Sequence, residues 1–256
     1  MEADPAQEDS CTPPLRAFDP SVFLGEESVR RNHPLVINFH RDVLPAAVDV
    51  VRAAFRQYAG SPLAVAFNGG KDCTVLLDLV IRTFREFSSE EDLSHQSVPI
   101  LAVYFRSRPQ FPEVEKFIQE KIRELDIPLE IYDGDLKESL GKFVQSHPSV
   151  KGIFMGTRSG DPRSQHLEAF SPTDPSWPPI MRILPLLKMS YHNIWLYLLD
   201  FKVSYCKMYD NGYSSIGWKY NTFVNPKLVL NHVDGRTEYK PAYLLEDSDE
   251  ERLYRK

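Results

Sequence analysis

Leu63-Ala64-Val65-Ala66-Phe67-Asn68-Gly69-Gly70-Lys71-Asp72-Cys73-Thr74 is the stretch whose reading decides the fold. Five apolar residues read as a buried strand that empties into a glycine-rich, charged turn and then a helix. From Thr74 to about Phe87 the chain is apolar on nearly all sides (Val75, Leu76, Leu77, Leu79, Val80, Ile81, Phe84), the pattern of a helix buried against a sheet. Two glycines let backbone amides approach an anion without a Cβ in the way, and the start of the following helix adds unpaired N–H donors and partial positive charge. The Lys71 ammonium suits phosphate oxygens, and the Asp72 carboxylate suits a Mg²⁺ that bridges them. The spacing matches neither G-x-x-x-x-G-K-[ST] nor G-x-G-x-x-G, which removes the two commonest nucleotide loops. An ordinary Gly-Gly turn is the plain alternative.

Outward from this stretch, strand and helix signals alternate. Val43, Leu44, Ala47, Val48, Val51, Ala54, Phe55 and Tyr58 form one helical stripe before Gly60-Ser61-Pro62, with Pro45 in the first turn. Ile100 to Phe105 reads as a buried strand, and Phe111, Val114, Phe117, Ile118, Ile122 and Leu125 as a helical face. Leu129 to Tyr132 is a short strand, Asp135 to Glu138 resembles a capping box, and Gly152 to Gly156 is the next strand. Such alternation predicts an α/β fold: a doubly wound, mostly parallel sheet with helices on both faces and a C-terminal extension. Ligands on such sheets sit beyond the carboxyl ends of the strands, where the Asn68 loop and the segment after Gly156 both emerge.

With 256 residues and 42% hydrophobic content, the chain can form one large core. Residues 1–33, rich in Asp, Glu, Pro and Ser, read as a poorly ordered leader, and 34–256 as the folded domain. The formal net charge of −6 argues against a nucleic-acid partner. Cys11, Cys73 and Cys206 lie far apart, with no C-x-x-C pair or disulfide framework, which fits a reducing cytoplasm. No basic segment followed by an apolar run opens the chain, and no apolar run approaches a membrane span. The sequence does not fix the oligomeric state, and a monomer is the expectation carried forward.

The next constellation is Met155-Gly156-Thr157-Arg158-Ser159-Gly160-Asp161-Pro162-Arg163, followed by Ser171-Pro172-Thr173-Asp174-Pro175-Ser176-Trp177-Pro178 and Met181-Arg182-Ile183-Leu184-Pro185. A proline-rich, charged connection of this length in a compact domain points to function. The first loop resembles the pyrophosphate loop of the ATP pyrophosphatases, the superfamily of the PAPS reductases. Together with Tyr209 to Gly217, Asn221-Thr222, Asn225-Pro226, Pro241 to Glu246 and Glu251-Arg252-Leu253-Tyr254-Arg255, the whole pattern resembles the eukaryotic FAD synthases, FMN adenylyltransferases on a PAPS-reductase-like domain.

That resemblance implies transfer of AMP from ATP to the phosphate of FMN, giving FAD and pyrophosphate with Mg²⁺. Small-molecule substrates, with no nucleic acid and no membrane, complete the expectation. Asn68, Gly69, Gly70, Lys71 and Thr74 would cradle the pyrophosphate, and Asp72 and Asp161 would hold the metal. Helix capping remains open for Asp72, and Asp-Pro turn formation for Asp161. Arg158, Arg163 and Arg182 offer guanidinium forks to phosphate, each with a solvating role as the alternative. Asp174 and Trp177 would meet the flavin ring, unless Trp177 simply anchors its loop. Arg252 and Arg255 would reach the phosphates if the acidic tail folds back rather than staying solvated. Phe105, with its neighbours Val103 and Tyr104, and Gly156 would border the adenine. Cys206 lacks the context of a PAPS reductase's redox cysteine, and Cys73 reads as a packing residue. Two other classes stay in view: another ATP-dependent adenylyltransferase or PAPS reductase-like enzyme, and a flavin-nucleotide binder without turnover.

Overall fold

The structure, a computed structural model, describes residues 19, 21–90, 100–233 and 236–255. Strand β1 (Leu63–Ala66) is the central organiser, because three of its four residues are fully buried and it pairs in parallel on both sides. Its partners are β2 (Ile100–Arg106) and β4 (Gly152–Phe154). Beyond them lie β3 (Leu129–Asp133) on one flank and β6 (Met181–Ile183) then β5 (Phe170–Pro172) on the other. The sheet order is β3-β2-β1-β4-β6-β5, all parallel except the antiparallel edge strand β5. The parallel, doubly wound expectation holds. Chain order reverses between β1 and β4, so their carboxyl ends open a crevice between loops that leave in opposite directions.

Alternation along the strands divides two cores. Leu63, Val65, Ile183 and Phe154 pack with helices α4 (Leu44–Gln57), α5 (Lys71–Glu90), α6 (Pro112–Leu125) and α8 (Tyr191–Asp200). Ala64, Val103 and Ile153 face the other way onto Leu140 and Phe143 of α7 (Leu136–Ser146) and onto Ile180 and Trp177. Asp135 caps α7, its side chain accepting from the Lys137 and Glu138 amides. α8, which is not among the elements read from the sequence, is set by a capping box between Ser190 and Asn193. Its Trp195 meets Tyr205, Tyr209 and Tyr243 edge to face, at centroid distances of 5.1, 5.4 and 6.0 Å. A hairpin of β7 (Val229–Val233) and β8 (Arg236–Tyr239) stands apart from the main sheet.

The expectation for the leader changes. Within the proposed leader, residues 21–33 carry two short helices, α1 (Ser21–Leu24) and α2 (Glu27–Arg31). Val22 is buried in the core, and Arg30 donates to the Val22 carbonyl at 2.9 Å while pairing with Asp200 of α8. Residues 1–18 and 20 lie outside the described residues. Pro45 lies in the first turn of α4, as expected, and what the sequence did not show is that α3 (Pro34–Asn38) continues through a π-turn, Phe39–Val43, into that helix. Pro45 has no N–H and its ring would press on the preceding turn, and the wider turn, with the Phe39 carbonyl accepting from Leu44 N–H, accommodates it. The acidic tail folds back, as the resemblance implies, through a 3₁₀ turn at Ser248–Arg252 and a bridge between Arg255 and Thr222.

Candidate active site

The loop after β1 turns into α5 sooner than its sequence suggests, so Lys71 and Asp72 are the first two helical residues. Gly69 has φ +75°, a left-handed conformation that favours glycine, and a Cβ there would lie 2.9 Å from Val114 and Ile118 of α6. Gly156, past the end of β4, packs directly on the helix start, where a Cβ would come 3.2 Å from the Asp72 carbonyl carbon and the Cys73 nitrogen. The two loops are therefore in backbone contact, as a switch-point crevice requires.

Around this junction six charged side chains interlock. Lys71 is 1% exposed, yet its ammonium binds the Glu251 carboxylate, lies 3.3 Å from Asp72 Oδ2, and sits over the rings of Tyr191 and Tyr209 at 5.2 and 5.8 Å. Arg158, 6% exposed, donates Nη2 to both oxygens of Glu251 at 2.7 and 2.6 Å and places Nε 2.9 Å from Asp72 Oδ1. Arg252 donates to Asp161 Oδ1 at 2.6 Å, while Asp161 Oδ2 accepts from the Arg158 amide at 3.0 Å. Lys71, Arg158 and Arg252 thus balance Asp72, Asp161 and Glu251. Arg255 is the surplus cation, since no carboxylate among the described residues pairs with it. Burial, together with the adjacent Arg252, lowers its proton affinity.

Burial alone would raise the Asp72 pKa, but Lys71, Arg158 and Arg252 outweigh it and hold the carboxyl below its ordinary value. Its Oδ1 is nonetheless buried without an aligned hydrogen bond, as is Arg158 Nε: the two are close in charge and poorly oriented as donor and acceptor. Burial, aided by Asp72, pushes the Cys73 thiol up to about 12, so it is a neutral packing group.

These residues wall a cavity of about 410 Å³ at the carboxyl ends of β1, β2 and β4, bordered by Asn68, Gly70, Lys71, Asp72, Phe105, Gly156, Asp161, Tyr209, Arg252 and Arg255. Next to its lining residues Ser107 and Ile216, Gln110 donates to the Gly217 carbonyl at 2.9 Å and Arg108 covers Trp218. Gly217 leaves room for Arg255, whose Nε would otherwise lie 2.5 Å from a Cβ.

Several expected members stand elsewhere. Thr74 is fully buried and its hydroxyl donates to the Gly70 carbonyl at 2.8 Å, so it braces the loop from behind. The Gly70 and Lys71 amides, expected to face an anion, are bound by Asn68 Oδ1 at 3.0 Å and the Tyr209 hydroxyl at 2.9 Å. Arg163 is exposed, with φ +64°, on the outside of its loop. Arg182 points along the sheet edge and donates to the carbonyls of Ser171 and Pro172 on β5, 3.8 Å from Asp174. Asp174 and Trp177 line a separate cavity of about 360 Å³ with Tyr58 and Lys151. Trp177 shares an apolar cluster with Phe105 and Met155, which border the larger-charged cavity. Glu251, Tyr191 and Tyr209 are the members that sequence reasoning left out of the site.

The phosphoadenosine phosphosulfate reductase domain matches this chain over residues 62–151 and 144–223. A probable FAD synthase of Schizosaccharomyces pombe is 37% identical over 213 residues, spanning 83% of this chain and 78% of that protein. A probable FAD synthase of Caenorhabditis elegans is 35% identical over 83% of this chain, which spans 40% of that relative's length. The crystal structure of Candida glabrata FMN adenylyltransferase in complex with FMN and the ATP analog AMPCPP shares the fold, with a TM-score of 0.78 at 24% identity over 87% of this chain and 89% of that one. With the sheet order, the loop after β1 and the folded tail already in place, these similarities settle the family: the chain belongs to the FAD synthases, built on the phosphoadenosine phosphosulfate reductase domain.

Proposed function

We propose that this protein transfers the adenylyl group of ATP to the phosphate of FMN, forming FAD and releasing pyrophosphate. The observation that carries the reading is the convergence of the β1–α5 loop, Asp161 and the tail arginines on one cavity beyond the strand ends. An oxygen of the FMN phosphate forms the new bond to the α-phosphorus while the bond from that phosphorus to the β-phosphate bridging oxygen breaks. The attacking oxygen is already anionic, so no general base or covalent nucleophile is needed, in keeping with the neutral Cys73 thiol. The obstacle is repulsion between two anions, and the protein's part is positioning and charge.

In this reading Lys71 and the exposed Asn68 hold the departing pyrophosphate at the start of α5. Arg252 and Arg255 draw the two phosphates together, and Arg158 fixes Asp72 and Asp161 in register. Phe105 and Gly156 border the adenine, and the flavin extends toward Asp174, Trp177 and Arg182. One surplus positive charge falls far short of what ATP and FMN bring, which makes a divalent cation part of the proposal. Among the described residues no three His, Cys, Asp or Glu side chains form a metal cluster. Asp72 and Asp161 nevertheless fit Mg²⁺, which takes one or two carboxylates and fills its other positions with water and phosphate oxygens. The unaligned, buried Asp72 Oδ1 supports the same assignment. When bound, Mg²⁺ would neutralise phosphate oxygens and the charge growing on the leaving group. The free Cys73 and Cys206 fit a cytoplasmic catalyst.

The test is incubation of purified protein with ATP, MgCl₂ and FMN, with FAD followed by chromatography. FAD and pyrophosphate in equal amounts are expected. Flavin binding without turnover would make it a binding protein, and turnover with a different acceptor would make it another adenylyltransferase.

A further inference from the structure

We propose that Glu251 is a positioning residue: it engages Lys71 and Arg158 from behind the cavity wall and so leaves an oxygen of Asp72 available to a divalent cation. The inference rests on the adenylyl-transfer reading above and assigns a role to a residue outside the substrate cavity.

Two cations compete for Asp72. Lys71 Nζ stands 3.3 Å from Oδ2 and Arg158 Nε 2.9 Å from Oδ1. Each makes its shorter contact with Glu251 instead, at 2.6 and 2.7 Å from Arg158 Nη2 and closer still from Lys71. Lys71 and Arg158 are almost wholly removed from solvent, so water cannot stand in for a missing counterion. Without the Glu251 charge, both must turn to Asp72, the nearest remaining carboxylate, and take up both of its oxygens. With it, Arg158 turns Nη2 to Glu251, and Nε, although 2.9 Å from Asp72 Oδ1, makes no aligned hydrogen bond to that buried oxygen. Glu251 borders a different cavity, of about 570 Å³, on the far side of the wall, so it acts through Lys71 and Arg158 rather than on substrate. The tail fixes it there: Ser214 donates its hydroxyl to the Glu251 carbonyl at 2.8 Å, and Asn225 donates to Ser214 at 3.0 Å and to the Glu250 carbonyl at 3.2 Å.

The wild-type protein is first assayed for FAD formation, and failure at that step removes the function rather than the role of Glu251. Glu251→Gln is then expected to raise the Mg²⁺ concentration for half-maximal rate by about 10–100-fold, as losing an outer-shell partner does, with the KM for FMN within about twofold. Glu251→Asp, which keeps the charge, should recover much of the metal response. Independently of turnover, Mn²⁺ titrated into protein holding pyrophosphate and followed by electron paramagnetic resonance should bind the Gln variant more weakly by a similar factor. Wild-type metal response and wild-type Mn²⁺ affinity in Glu251→Gln overturn the proposal. A crystal structure of the wild-type protein with Mn²⁺ and pyrophosphate decides the matter even if that variant does not fold. The metal is expected on Asp72 with Glu251 still on Lys71 and Arg158; metal on Glu251, or Glu251 withdrawn from both cations, overturns it.

Discussion

Arg252 reaches across 91 positions of sequence to donate Nη2 to Asp161 Oδ1 at 2.6 Å, tying the tail to the loop that follows β4. The contact puts a guanidinium at the mouth of the cavity, one-third exposed, where it costs little to desolvate and remains accessible to an incoming anion. Arg252→Ala is therefore expected to lower kcat by about 10²–10³, the range seen when one donor to developing charge is removed. Being a partly exposed pair, it should cost at most about 1 kcal/mol of stability. Steady-state kinetics beside a urea melt separates the two, and an equal loss of both would make Arg252 structural.

Gly156 gives a different kind of dependence, steric rather than electrostatic. Its missing Cβ would meet backbone atoms of Asp72 and Cys73 at 3.2 Å, and backbone cannot rotate out of the way. Gly156→Ala should force β4 and the start of α5 apart, with a cost of about 1–3 kcal/mol and a raised KM for ATP. Unfolding in urea together with an ATP titration checks both parts, and a variant with wild-type values would show the junction to be loose.

Cys73 borders the cavity, but burial and Asp72 hold its thiol up to about 12. Iodoacetamide at neutral pH should leave it unmodified in the folded protein, as mass spectrometry of peptides would show. Cys73→Ala is expected to retain activity within about threefold, because the proposed transfer uses no covalent intermediate. Rapid alkylation with loss of activity would contradict both.

What the sequence carries and what it hides divide along range. β1, its loop and α5 are legible because the signal is local: an apolar run, two glycines and then an all-round apolar helix. The start of α8 is equally local, a capping box at Ser190 and Asn193, but it sits after a proline-rich stretch that draws attention elsewhere. Glu251 is hidden for a physical reason. In the run Glu246-Asp247-Ser248-Asp249-Glu250-Glu251 every carboxylate reads as solvated, and only tertiary contact with Lys71 and Arg158 distinguishes the last one. The direction of Arg182 is hidden in a different way. A three-residue strand does not reveal which neighbour its side chain follows, and β5 offers two carbonyls that capture the guanidinium.

Asp72 supplies a pH dependence whose sign follows from its surroundings. Its folded carboxyl is held below the ordinary 3.8, by cations that outweigh burial, so the unfolded chain takes up its proton first as acid is added. The stabilisation is fully present above that ordinary value and is lost as pH falls through the lower folded value. Urea melts from about pH 5 down to about pH 2.5 should show this loss, and Asp72→Asn should flatten it. The same variant should abolish nearly all turnover while remaining folded at neutral pH. Substantial residual activity would remove Asp72 from the metal site.

Trp177 separates a flavin contact from a loop anchor. It is half-buried in the cluster with Phe143, Ile180 and Phe105, and it lines the cavity that also holds Asp174. As an anchor alone, its removal would lower stability and leave substrate preference unchanged. As a flavin contact, Trp177→Ala should raise the KM for FMN by about 10–100-fold, the equivalent of an aromatic contact of roughly 1–3 kcal/mol, with the KM for ATP nearly constant. Trp177→Phe keeps an aromatic face and should recover most of the loss. Parallel rises in both KM values, or no rise beyond the loss of folded protein, would take the flavin away from Trp177 and leave the cavity walled by Phe105 and Met155 as its place.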